Sequence, residues 1–181
     1  MASPFRNATE LLQQYAEYHR DQRNIVTHFV GVPMIVFGIG VLLAGAQFVV
    51  GGQVLTLAWA VYALVAAWYL TRGHLGIGLA TAAAVGVLVL LAHQVSGGSW
   101  GQWLGWGLGC FVVGWAFQFA GHYYEGRKPA FADDLIGLLV GPMFVTMEAL
   151  GSLGWFKGLT AEVERHAGPT MLRNLAHPVA R

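Results

Sequence analysis

Charge is scarce in this sequence. Of its 181 residues only 10% are Asp, Glu, Lys or Arg, where a water-soluble domain carries about 25%. So few charges cannot cover a water-facing surface. The formal net charge is +1, and no basic stripe is dense enough to release many counterions, which excludes nucleic acid as a partner. There is one cysteine, Cys110. It cannot form an internal disulfide, and inside an apolar run it reads as a small packing residue. No Cys-x-x-Cys pair exists, which excludes a zinc ribbon or a thioredoxin-like site. The N-terminal segment lacks an early apolar stretch after a basic start, so no cleavable signal peptide is expected there.

Hydrophobic residues, at 56%, fill the gap. No charged side chain occurs from Asn24 to Thr71, nor from Gly73 to Tyr124. Each stretch holds two spans of about 20 residues, the length that crosses a hydrocarbon core of about 30 Å. The expected fold is therefore all-α, a polytopic membrane helical bundle in one domain. Four spans are expected at residues 29–50, 54–71, 75–95 and 103–121. A fifth apolar helix over 135–156 contains Pro142 and Glu148 and either spans or is re-entrant. Gly105 and Gly109, four apart, are expected to permit close helix packing. Asn7 and Glu10 form a helix-start pattern, and Leu11, Leu12, Tyr15 and Tyr18 follow at helical spacing. Residues 7–23 thus read as an interfacial amphipathic helix. Residues 157–181 read as a polar tail.

Lys and Arg set the orientation. Arg6, Arg20 and Arg23 precede the first span, Arg72 separates the second from the third, and Arg127 and Lys128 follow the fourth. The other two links carry none. Those basic segments are expected at the cytoplasmic face of an inner or endoplasmic-reticulum membrane. A fully crossing fifth helix would put Lys157, Arg165, Arg173 and Arg181 outside, so a non-crossing fifth segment is favoured.

This topology sorts the seven histidines. His19, His28, His122 and His74 fall at the cytoplasmic end, His93 at the other, and His166 and His177 in the polar tail. Neutral imidazoles from distant chain segments at one depth form a candidate site for Fe, Zn, Cu or Ni. On a straight helix His19 and His28 would lie on opposite faces, about 13 Å apart along the axis, so a shared ion requires a bend between them, with Asn24 as the cap of the following helix. His122 and Glu125 share a helix face, as does Gln118 four residues before His122. Glu125 has three readings: ligand, orienting partner of an imidazole, or catalytic base. Pairing with Arg20, Arg127 or Lys128 is a fourth.

Two segments resemble a known family. They are Tyr15-Ala16-Glu17-Tyr18-His19, continuing through Asn24 and His28 to Pro33, and Gly114-Trp115-Ala116-Phe117-Gln118-Phe119-Ala120-Gly121-His122, continuing through Glu125, Pro129-Ala130 and Asp133 to Pro142. Together they look like the Mpo1-like proteins, a family of 2-hydroxy fatty acid dioxygenases. The resemblance implies Fe(II)-dependent α-oxidation, in which a 2-hydroxy fatty acid and O2 yield a fatty acid one carbon shorter. It implies His19, His28 and His122 as metal ligands; His93 is a further match to a family histidine, which the topology puts at the opposite end. Three protein ligands leave three octahedral positions, two for the carboxylate and hydroxyl of the substrate and one for O2. Arg20, Arg23, Arg127 and Lys128 are candidates to attract the substrate carboxylate, and equally to contact headgroups of membrane lipids. Two rivals stand beside this reading. A membrane di-iron hydroxylase or desaturase would need His-x-x-x-His and His-x-x-His-His clusters, which are absent. A transporter or scaffold would suit Glu148 within an apolar run.

Overall fold

The computed structural model describes residues 5–126 and 136–174. Arg127, Lys128, Asp133, Asp134 and His177 lie outside the described residues. The elements in order are α1 (Ala8–Ala16), α2 (Gln22–Ala44), β1 (Gln47–Val50), β2 (Gln53–Thr56), α3 (Leu57–Leu70), α4 (Leu75–Ser96), α5 (Trp100–Glu125), α6 (Gly137–Ser152) and α7 (Lys157–Ala167). Helices α2, α4 and α5 are each long and apolar enough to cross a membrane, and the bent pair α6–α7 offers up to one more.

As helices, the first expected span begins and ends earlier than its apolar run, and the second is shorter than its run. Helix α2 ends at Ala44, and Gln47–Val50 pairs antiparallel with Gln53–Thr56. β-Branched Val49, Val50 and Val54 favour extended backbone. Gly51 and Gly52, at φ 57° and 79°, supply the two positive φ angles of a tight hairpin turn. The ribbon leaves α3 with 14 residues, about 21 Å of helix.

Helices α2 and α5 form the central antiparallel pair. Their contact runs on a seven-residue repeat, nearly two helical turns. On α2 it is Asn24, Gly31 and Gly38; on α5 it is Gly121, Gly114 and Gly107. A Cβ on Gly31 would lie 2.7 Å from Gly114 O, and one on Gly38 would lie 2.7 Å from Gly107 O. Only glycine lets these backbones approach so closely. The packing glycines are therefore not Gly105 and Gly109, which face open space.

At the N-terminus Asn7 caps α1, its side chain accepting from Glu10 N at 2.9 Å while donating to Glu10 Oε1 at 2.7 Å. The helix stops at Ala16 rather than running to residue 23. Its apolar stripe of Leu11, Leu12 and Tyr15 is buried against α6 and α7, so protein covers the face expected to meet lipid. The cap of α2 is Asp21, which accepts from Arg23 N. Asn24, expected in that role, lies inside the helix and is buried.

Helix α6 turns by 116° into α7. Gly141 packs against Tyr15, and Phe156, beyond the other end of α6, packs against Gly76 at the start of α4. The fifth apolar run thus returns the chain to the end where α1 lies. There Met171 pairs in parallel with Asp21, so the tail meets the bend between α1 and α2.

Candidate metal centre

The bend at residues 17–21 exists because one carboxylate organises it. Glu125, at the end of α5, accepts through Oε2 from Arg20 N (2.9 Å), Asp21 N (2.7 Å) and Asn24 Nδ2 (3.1 Å). Its Oε1 forms an ion pair with Arg173 Nη2 at 2.6 Å. The tail adds main-chain bonds. Met171 N donates to Arg20 O, and Gln22 N donates to Met171 O. Asp21 accepts from Arg23 and from Arg173 N; burial works to raise its pKa, but these bonds and the Arg23 charge bring it below the usual carboxylate value.

The bend presents His19 to two helices. His28 sits in the second turn of α2 and His122 in the last turn of α5. One ring nitrogen from each of the three lies within 4.8 Å of the others. The residues are 0%, 1% and 6% exposed, respectively. The Nε2 atoms of His19 and His28 are 3.0 Å apart.

Backbone carbonyls decide what that short distance means. His19 Nδ1 donates to Tyr15 O (2.7 Å) and His28 Nδ1 donates to Asn24 O (2.8 Å). A carbonyl can only accept, so each Nδ1 carries the proton of a neutral ring. Each Nε2 is then a bare lone pair, and the two lone pairs face each other in a buried site. Burial first, then the neighbouring imidazoles of His28 and His122, hold the His19 pKa well below its ordinary value. Protonating this ring to relieve the clash is therefore disfavoured. A cation between the nitrogens resolves it. Two nitrogens bound at about 2.1 Å and at right angles lie about 3.0 Å apart, which matches the observed spacing. His122 Nδ1 is also buried without a partner. The donor set fits a divalent metal that accepts imidazole.

Tyr15 gives His19 its orientation twice, by its carbonyl and by its ring, which stacks on the imidazole at 4.0 Å and 6°. In the sequence Tyr15 stands on the apolar stripe of α1 and opens one of the two family-like segments, and neither signal gives it this contact. Phe144 of α6 packs beside both rings, 5.4 Å from the His19 imidazole and 5.2 Å from the Tyr15 ring.

Other expected site residues are placed differently. Glu125 makes its hydrogen bonds and ion pair to the bend and to Arg173 rather than to the imidazoles, the position of a clamp. Arg20 is buried and donates to Ala16 O, His19 O and Gly168 O, with Glu148 at 3.4 Å. Arg23 grips Asp21, donates to Arg173 O and lies over the Tyr124 ring. Both guanidinium groups are thus engaged by protein acceptors rather than directed at a ligand. Arg127 and Lys128 fall among the undescribed residues. His93 is at the far end, bonded to Val89 O and Thr56 and stacked on Trp59. His74 caps α4.

A cavity of about 200 Å³ begins at His28 and His122 and is otherwise walled mainly by apolar side chains of α2, α5 and α6. On α2 its wall runs from His28 to Ile39, and on α5 from His122 to Phe111, about 16 Å along each helix.

A family model described as 2-hydroxy-palmitic acid dioxygenase Mpo1-like matches residues 5–153. The 2-hydroxy-palmitic acid dioxygenase MPO1 of Saccharomyces cerevisiae is 31% identical over 158 residues, covering 83% of this chain and 83% of that protein. No solved structure matches the chain.

Proposed function

The chain belongs to the Mpo1-like family, and from that premise we propose that it is a membrane-embedded, Fe(II)-dependent dioxygenase that shortens 2-hydroxy fatty acids by their carboxyl carbon. The observation that carries this reading is the pair of Nε2 lone pairs facing each other at 3.0 Å, with His122 beside them.

His19, His28 and His122 hold the ion. Bound there, Fe(II) supplies the one-electron chemistry that O2 requires and open positions for the hydroxyl and carboxylate of the substrate. Tyr15 O and Asn24 O fix both tautomers so that the nitrogens needed for ligation stay unprotonated. Glu125 and Arg173 hold the bend that carries His19. Phe144 and Tyr15 keep water from that imidazole. The apolar cavity accepts the acyl chain. A wall of about 16 Å along each helix suits a long-chain substrate. The described residues contain one such histidine group, which favours one ion per chain over a di-iron centre.

Orientation follows from charge. Among the described residues Arg6, Arg20, Arg23, Arg72, Lys157, Arg165 and Arg173 lie in or beside the segments gathered at the histidine end, while the hairpin and the turn before α5 carry no charge. That end is cytoplasmic by the positive-inside rule.

The test is metal analysis of freshly purified protein combined with aerobic turnover of 2-hydroxypalmitate. The expected result is about one iron per chain and a product one carbon shorter, both lost in His122→Ala. Iron-free protein with full activity, or a fully active His122→Ala, refutes the proposal.

A further inference from the structure

We infer that Gln118 reads the 2-hydroxyl group and so separates 2-hydroxy fatty acids from plain ones. This rests on the reading just given and adds a specificity determinant to it. Gln118 is 5% exposed, and its Nε2 is buried without an acceptor. It lines the cavity with His28 and His122. On α5 it stands one turn from His122, and across the helix pair its amide packs against Gly31, one turn from His28. Both helices therefore place it just below the imidazoles, where the head of a bound acid gives way to its chain. Glycine at position 31 leaves the room the amide occupies; a Cβ there would collide with Nε2.

Chemistry narrows what the amide is for. The buried Nε2 of Gln118 finds no acceptor among the described residues and is satisfied by a polar atom that enters the cavity. It is uncharged, so it does not balance a carboxylate as a cation would. It offers one donor face and one acceptor face, the complement of a hydroxyl, which accepts and donates. A methylene at the same place leaves the amide unsatisfied. Sites built to hydrogen-bond a hydroxyl reject the analogue lacking it far more strongly than apolar pockets discriminate by size.

The experiment measures equilibrium binding of 2-hydroxypalmitate and palmitate to the full chain in detergent, loaded with Co(II) and, separately, metal-depleted. The depleted arm removes chelation as a source of preference. Wild type is expected to prefer the hydroxy acid in both arms. Gln118→Met, close in size and apolar, is expected to lower the preference by about 10- to 100-fold in the depleted arm, with Co(II) affinity unchanged. Gln118→Leu is the second variant should Gln118→Met fail to fold. An unchanged preference in a folded, Co(II)-binding variant overturns the inference and leaves the dioxygenase reading intact. A wild type without preference in either arm overturns both.

Discussion

Replacing Glu125 by Gln removes one charge and moves no heavy atom by necessity, yet it should loosen the metal centre. The carboxylate accepts three hydrogen bonds at Oε2 and pairs with Arg173 at Oε1. A glutamine can turn its oxygen toward the three donors only by presenting its NH2 to the Arg173 guanidinium. Turned the other way, it sets donors against donors. Hydrogen bonds to a charged acceptor contribute about 1.5–3 kcal/mol each against about 0.5–1.5 kcal/mol for neutral ones. Breaking a buried ion pair from one side costs about 3–5 kcal/mol. These overlapping terms amount to about 3–5 kcal/mol concentrated on the bend. Since each 1.4 kcal/mol is tenfold, the closed bend loses about two to three and a half decades of preference. Part of that reserve is excess, so the Co(II) dissociation constant should rise by at least about tenfold, the scale of outer-shell substitutions at metal sites. The assay is Co(II) titration followed by its visible absorption, with helical circular dichroism as the control for folding. Binding within about twofold of wild type, in a folded variant, would show that the clamp does not hold the bend.

Three further outcomes follow from the same geometry. Arg173→Ala should weaken Co(II) binding by about tenfold and Arg173→Lys by less, as read in the same titration; equal affinity in all three proteins refutes a tail-borne contribution. Gly114→Ala should destabilise the α2–α5 pair by about 1–3 kcal/mol, because its Cβ would lie 2.8 Å from Gly31 O, whereas Gly105→Ala should leave the melting temperature unchanged; the reverse order would discredit the heptad pairing. In a Cys110→Ala background, cysteines at Val49 and Glu164 should react with a membrane-impermeant maleimide from opposite sides of sealed vesicles, and labelling of both from one side would contradict the orientation.

The imidazole trio was legible because topology is a coarse quantity. Charge-free stretches mark apolar helices, and Lys and Arg mark their ends, so His19, His28 and His122 fall at one depth without any knowledge of contacts. The hairpin was not legible in the same way. A run such as Gln47–Val50 is equally apolar as helix and as ribbon, and hydropathy does not separate them. The choice of packing glycines failed for a related reason. A small-residue spacing on one helix says nothing about which face meets a partner. The signal lay in two helices at once, Gly31 and Gly38 repeating every seven residues opposite Gly107 and Gly114. Arg173 carried no signal at all. It lies 48 residues after Glu125 in a polar tail, and no periodicity links an exposed-looking arginine to a buried carboxylate.

The cluster around the bend is also evidence about purpose. Arg20, Asp21, Asn24, Gln118 and Glu125 are all nine-tenths or more buried, in a chain whose long helices α2, α4 and α5 are predominantly apolar. Buried ion pairs seldom add stability over apolar residues of the same volume. Their concentration at one end is therefore poorly explained as a device for stability. It is well explained as a device for shape, since a glutamate with four partners dictates one backbone path, and that path is the one that brings His19 Nε2 to within 3.0 Å of His28 Nε2. One of those partners reaches across the boundary of the family-matched region, because Arg173 lies beyond residue 153 while Glu125 lies within it. The matched region supplies the three imidazoles, and the segment after it supplies a strap that keeps them together. Removing the strap should thus relax the metal geometry before it unfolds the helices.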